Sequence, residues 1–381
     1  MKFAFKKLNQ NLSLALGVLA LTPLSASALV INSSTASFNN SASVTDVEGG
    51  GATSKNGASL GTSTISKFNP NQGVLTGATL NLTSTRSQST WVKSTTGGFI
   101  GSNAGVTSTG TGSSTANISA PGVTSTFSSA ISNSDTCAGT RLNACTGAAT
   151  TSVATPTNLN AIVSSANLDS YAGAGLVTVD RSAPTLTATQ ASMVFTGTES
   201  TEYAVTWSGQ VSASYDYLLH AAPSFNASSS MLTLDLDLGT FHIGDAATLG
   251  FDLFNLADAN RVGLDLDGLT ASGDVSALGT NLSLFSGLAQ GSGINWLATL
   301  DTSTTGIFHT SYLLRMSDAD VGAASTRFNY NLTLNLSGRV DELPAEIPVQ
   351  SALIGEVPEP STLALLGIAL TGLRFSRKSK S

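Results

Sequence analysis

Two Asp-Leu-Asp triplets are the residues whose type and spacing first suggest chemistry. Asp235 and Asp237, like Asp265 and Asp267, stand two positions apart. In a β-strand residues i and i+2 share a face. Each pair can therefore aim two carboxylates at one Ca²⁺, a hard ion that takes about six to eight oxygen ligands. The plainer reading is that the intervening leucines face a core and the aspartates face water, as a half-buried strand requires. The segment DLDGLTASGD also lacks the full ligand spacing of an EF-hand loop. Calcium is the one cofactor the sequence admits, and nothing in it demands the ion.

Paired carboxylates also serve glycosidases, which need two of them about 5–10 Å apart, one in a pocket that raises its pKa. Acids are available here, but no pair is singled out. The three histidines, His220, His242 and His309, lie far apart in strand-like segments, and no H-E-x-x-H, Walker A or dinucleotide fingerprint is present. The expectation is a protein with no catalytic residues. Tyr215 and Tyr217 form the best aromatic pair: on one strand face they would offer a platform for sugar rings. Trp91, Trp207, Trp296 and Tyr203 are further ring candidates. Aromatic residues at strand spacing serve equally for core and cross-strand packing.

The elements that must position these residues are strands. Apolar and polar residues alternate in GVLTGATLNLTST, AGLVTVD and PTLTATQASMVFTG, punctuated by Gly, Asn-Pro and Ser-rich turns. The run TEYAVTWSGQVSASYDYLLHA places Tyr203, Val205 and Trp207 on one side, with a bend or register change expected near Gly209. Between Gly97 and Ser134 the Ser, Thr and Gly content predicts long loops or weak edge strands. From Met231 a strand, a turn at Gly244 and a strand ending at Asn255 read as a hairpin, and FHTSYLLRMSDAD and FNYNLTLNLSGRV as closing strands. The fold class is all-β, with two β-sandwich-like domains over 29–225 and 226–340 and an extended spacer over 341–356.

Both ends have a different composition. Lys2, Lys6 and Lys7 precede an apolar stretch, and Ala26-Ser27-Ala28 supplies the small residues of a signal peptidase site, so residues 1–28 read as a secretory signal. Near the other end, 361–373 is largely apolar and Arg374, Arg377, Lys378 and Lys380 follow. A helix of 13 residues rises about 20 Å, short of the roughly 30 Å hydrocarbon core, which makes a marginal span. The bases place the tail on the cytoplasmic side and the main chain outside.

Behind such signals, the neighbouring Cys137 and Cys145 predict a local disulfide, with free thiols as the alternative. Seven of the 17 bases lie in the two end segments and none of the 24 acids does, so 10 bases face 24 acids between them, a formal −14. That balance argues against nucleic acid or anionic lipid as partners. Charged residues make up only 11% of the chain, against about 25% in a typical domain, and Ser and Thr fill the polar positions.

Three segments carry resemblances. Val357-Pro358-Glu359-Pro360-Ser361-Thr362, the apolar run and the basic end resemble a PEP-CTERM sorting signal of Gram-negative bacteria. The resemblance implies that an exosortase reads Pro358, Glu359 and Pro360, removes the tail from a transient inner-membrane intermediate and sends the protein to the cell surface. It also implies an association with exopolysaccharide and biofilm. SKFNPNQGVLTGATLNL resembles the first strands of choice-of-anchor domains, and the block from Met231 resembles immunoglobulin-like domains attached to PEP-CTERM tails. The function expected is that of a non-enzymatic surface or matrix protein; the alternative is a carbohydrate-binding or adhesive module, with or without calcium.

Overall fold

The computed structural model describes residues 27–47, 52–96, 105–138, 145–191 and 197–343. Alternation of apolar and polar residues becomes nineteen strands among them, arranged as two β-sandwiches. The first contains β1 (Leu29–Asn32), β2 (Ala36–Val47), β3 (Thr53–Ser66), β4 (Val74–Thr96), β5 (Gly105–Ala120), β6 (Val123–Ala138), β7 (Cys145–Pro156), β8 (Leu159–Ile162), β9 (Leu176–Ala191) and β10 (Gly197–Leu218). β1 and β2 both pair with β10, β10 with β4, and β4 with β7 and β8; the facing sheet runs β3-β9-β5-β6. Every pairing between these ten strands is antiparallel.

Period-2 patterning decides which side of each strand is buried. On β10 Tyr203, Val205, Trp207, Val211, Ala213 and Tyr215 all face the first core with Leu60, Ile65, Leu80, Leu82 and Ile118. The register of β10 on β4 is unbroken through Gly209 and shifts only between Asp216 and Tyr217. Gly209 is instead a place of close backbone approach, where a Cβ would lie 2.4 Å from the Thr83 carbonyl oxygen. The Ser/Thr-rich stretch expected to form long loops or weak edge strands takes the second course over 105–138: a regular hairpin of β5 and β6 turning at Pro121-Gly122, with β6 at the sheet edge. Threonine's branched side chain suits a pleated surface, which favours strand over loop here despite the low hydrophobicity.

The inner face of β4 turns polar beyond Leu82: Ser84, Arg86, Gln88 and Thr90 are all buried. Arg86 donates from Nη1 to the Phe127 carbonyl at 2.8 Å and from Nη2 to Ser129 Oγ at 2.7 Å, tying β4 to edge strand β6. Burial pulls its guanidinium pKa down from the ordinary range. A second buried arginine, Arg181, lies 3.8 Å over the Phe38 ring and donates to Ser63 Oγ at 2.8 Å.

The second sandwich contains β11 (Pro223–Ser224), β12 (Thr233–His242), β13 (Ala247–Asn255), β14 (Leu264–Gly273), β15 (Leu278–Thr280), β16 (Phe285–Leu288), β17 (Gly293–Leu300), β18 (Gly306–Asp318) and β19 (Asn329–Asp341). One sheet runs β11-β13-β17-β15 and the other β12-β19-β18-β14-β16. Leu264, Leu266, Leu314, Met316, Leu332, Leu334 and Leu336 fill its core. Burial of each such side chain contributes about 1.5–3 kcal/mol. β18 and β19 pair as expected. The expected hairpin is corrected: β12 and β13 lie in opposite sheets, and β12 runs parallel to β19, about 100 residues away. The Gly244 turn is thus an arch over the core. β11 pairs with β13, so this sandwich begins before 226.

The sandwiches meet at a joint between residues 218 and 223. Val74 of β4 packs into the second core, and Ala323, from the β18–β19 connection, into the first. Leu75 N–H donates to Thr326 Oγ1 at 3.1 Å, and the Leu75 carbonyl accepts from Ala323 N–H at 2.8 Å. Across the same joint, Asp169 accepts from Ser325 N–H and Oγ at 2.9 and 2.8 Å.

Candidate functional site

The site that the fold assembles is on the outer face of the β12-β19-β18-β14 sheet. Inner positions of these strands are taken by leucines, which leaves the alternate positions to solvent. Register then sets the outer residues in rungs. Asp235 stands opposite Asn335, Asn335 opposite Ser311, and Ser311 opposite Ser272. The next rung is Asp237, Ser337 and His309.

Together these residues line a shallow groove of about 570 Å³. An adjoining hollow of about 220 Å³ continues past Asp237, Ser337 and His309 to Thr240 and Arg339.

The two carboxylates are oriented by their neighbours. Asn335 Nδ2 donates to Asp235 Oδ1 at 2.7 Å. Asp237 Oδ1 accepts from Ser337 Oγ at 3.2 Å and from Gly239 N–H at 3.0 Å. Among the described residues no hydrogen bond reaches Oδ2 of either aspartate. Arg339, at the far end of the hollow, donates from Nε to Asp341 at 2.7 Å. The groove therefore presents two fixed negative charges beside hydroxyl, amide and imidazole groups.

The Asp-Leu-Asp repeats separate here. Asp235 and Asp237 share the outer face as expected. Asp265 and Asp267 differ in burial, and the register on β18 shifts between Leu266 and Gly268. Asp265 is 8% exposed and accepts from Gly287 N–H at 2.6 Å, while Asp267 faces solvent. Among the described residues no group of three or more His, Cys, Asp or Glu is placed to hold a metal ion.

The aromatic platform is also corrected. Tyr215 is 1% exposed; its ring packs edge-on against Phe68 and Tyr171, and its hydroxyl donates to the Ser66 carbonyl at 2.7 Å. Tyr217 is half-buried against Phe68, ring centroids 5.3 Å apart. Trp207 and Tyr203 are fully buried. The rings were legible; that they face the opposing sheet was not.

Sequence reading also missed one motif match, the G-x-S-x-G of Gly57-Ala58-Ser59-Leu60-Gly61. A nucleophile elbow needs a strand-to-helix turn and a histidine. Ser59 instead sits inside β3 next to a register shift, its Oγ accepting from Gly61 N–H at 3.1 Å. All three histidines lie in the joint or the second sandwich.

Of the processing residues, Ser27 and Ala28 are exposed ahead of β1, and Ala26 lies outside the described residues, as do Pro358, Glu359, Pro360 and the apolar segment 361–373. Among the described residues no helix is long and apolar enough to cross a membrane. Cys137 and Cys145 fall at the ends of β6 and β7, their side chains outside the described set.

Comparison with solved structures finds low-level likenesses. The ASH/PapD-like domain of human CEP192 (PapD-like domain 7) aligns at 10% identity and TM-score 0.23, over 32% of this chain and 87% of that one. The periplasmic chaperone SfaE aligns at 10% identity and TM-score 0.22, over 32% of this chain and 60% of its own. The VesB protease of Vibrio cholerae aligns at 15% identity and TM-score 0.21, over 34% and 37%. Scores this low carry no argument about function. No curated protein gives a significant match. Residues 356–378 match the PEP-CTERM protein-sorting motif, so the chain carries the signal of an exosortase-sorted, exported protein.

Proposed function

We propose that this is a non-enzymatic surface or extracellular-matrix protein associated with exopolysaccharide and biofilm. Signal peptidase cuts after Ala28. Exosortase then reads Pro358-Glu359-Pro360 on an inner-membrane intermediate of a Gram-negative cell and releases the product toward the surface. The sorting motif over 356–378 is the observation that supports this reading most strongly. The body is consistent with it: two sandwiches, each with its own apolar core, present hydroxyl-rich outer faces and an acidic balance that limits self-association.

A second reading, that of a carbohydrate-binding or adhesive module, is favoured by the groove over β12, β19, β18 and β14. The two readings are compatible, since a matrix protein needs some contact with the polymer around it.

Fractionation of the producing cells tests the primary reading. Wild-type protein should reach the surface or medium with a mass lacking the C-terminal tail. Replacement of Pro358, Glu359 and Pro360 by alanine should hold the unprocessed chain in the inner membrane. Mature wild-type protein that keeps its apolar tail in that membrane would overturn the reading.

A further inference from the structure

We propose that the groove across β12, β19, β18 and β14 binds an oligosaccharide of cationic amino sugars, that is, a glycan with free ammonium groups. The inference rests on the reading of this face as a glycan-binding surface and names the ligand class.

Charge makes the selection. Asp235 and Asp237 put two carboxylates on one side of the groove, with no Lys or Arg among the residues that line it. The arginine of the adjoining hollow, Arg339, is already engaged by Asp341. An acidic polysaccharide would meet uncompensated repulsion, whereas an ammonium group finds a charge-assisted acceptor. The acceptors are prepared: Asn335, Ser337 and Gly239 hold Oδ1 of the two aspartates and leave Oδ2 of each available.

Shape and polarity extend the selection from a cation to a polyol. The rungs Asp235–Asn335–Ser311–Ser272 and Asp237–Ser337–His309 cross the strands. Strands repeat every ~4.8 Å, close to the advance of one pyranose ring in an extended chain. Each rung position carries a group able to donate to or accept from a sugar hydroxyl. No Phe, Tyr or Trp lines the groove, so recognition is by hydrogen bonds and charge. A lone divalent ion fits less well, because both Oδ1 atoms are occupied and a hard cation wants about six oxygens.

The test is calorimetric or NMR titration of the processed, exported protein with five probes: a glucosamine hexamer, its fully N-acetylated counterpart, an oligogalacturonate, oligolysine and CaCl₂. The glucosamine hexamer should bind saturably, weaken with salt, and lose at least about tenfold in affinity in the Asp235→Asn/Asp237→Asn variant. Asp252→Asn removes one carboxylate from the exposed side of the other sheet, on β13, and should leave binding unchanged. Thermal unfolding of each variant verifies that the fold is intact.

Equal binding of the acetylated hexamer would overturn the amino-sugar assignment and leave the glycan surface standing. No binding of any glycan by folded protein would sink both. Calcium binding that is lost in the double variant, without glycan binding, would show a cation site instead. Oligolysine binding as tightly as the glucosamine hexamer would reduce the groove to a charged patch and refute the proposal.

Discussion

His220 Nδ1 lies 2.7 Å from Asp318 Oδ2, and this contact is the hub of the joint between the two sandwiches. His220 follows β10 and Asp318 ends β18. The other ring nitrogen, Nε2, is 2.7 Å from the Pro70 carbonyl, which can only accept, so Nε2 carries a proton. The Phe328 ring stacks on the imidazole, centroids 3.9 Å apart. Asp318 is fully buried and also accepts from Ala221 N–H, Phe328 N–H and the Tyr330 hydroxyl. Burial first, and then the Asp318 charge, raise the Tyr330 pKa far above the phenol range.

Asp318→Ala strands the Ala221 N–H, Phe328 N–H and Tyr330 hydroxyl and unpairs the His220 ring, and breaking such a pair costs about 3–5 kcal/mol. Asp318→Asn keeps an acceptor oxygen and should cost less, and His220→Ala less again than Asp318→Ala. Denaturant unfolding of the three variants checks the order. A silent Asp318→Ala would show that the joint contributes nothing to stability.

Gly322→Ala should loosen the same joint. Gly322 has φ of +60°, and a Cβ there would come within 2.1 Å of the Leu75 carbonyl oxygen, so two independent costs add. We expect a loss of more than about 1 kcal/mol, with faster proteolysis between the sandwiches as the second readout. An unchanged variant would mean that the β18–β19 connection moves freely away from Leu75.

Tyr215 should behave as a core residue. Tyr215→Phe removes one hydrogen bond, to Ser66, worth about 1 kcal/mol. Tyr215→Ala opens a cavity against Phe68 and Tyr171 at about 3–5 kcal/mol. Neither should alter glycan binding by protein that remains folded. Selective loss of binding in Tyr215→Phe at unchanged stability would contradict the burial.

Stability should fall toward high pH. Burial raises the Tyr171 pKa from 10.0 to about 12, and burial likewise raises Tyr215. The folded state therefore keeps phenol protons that the unfolded chain releases, and unfolding becomes easier as pH climbs from about 10 to 12. Tyr171→Phe should flatten that slope in a pH series of unfolding midpoints. On the acid side the sign is opposite. Hydrogen bonds from Ser325 lower the Asp169 pKa, so the modest stabilisation from this exposed carboxylate is lost as pH falls, and Asp169→Asn should remove that dependence.

Cys137 and Cys145 should be bonded in the exported protein. Cys137 is next to last in β6 and Cys145 opens β7, strands that lie near one another on opposing sheets. Alkylation with mass spectrometry should find no free thiol before reduction and two after it. Reduction should cost about 2–3 kcal/mol. Two alkylated thiols in unreduced surface protein would refute the bond.

Local alternation determined much of this protein. It marked β4, β10, β18 and β19, because a strand's inner and outer faces are written in every second residue. The sorting motif over 356–378 was legible for the same reason: prolines, apolar length and basic charge act over short spans. Two things depended on residues distant in the chain. β12 found its partner in β19, about 100 residues on, instead of across the Gly244 turn, because closing two sheets over one core buries more apolar surface than a lone hairpin. That pairing brought Asp235 and Asp237 beside Asn335 and Ser337, while in the second repeat Asp265 is buried against Gly287 and Asp267 is exposed. Likewise Tyr215 could be placed on a face of β10, but only the opposing sheet made that face the interior.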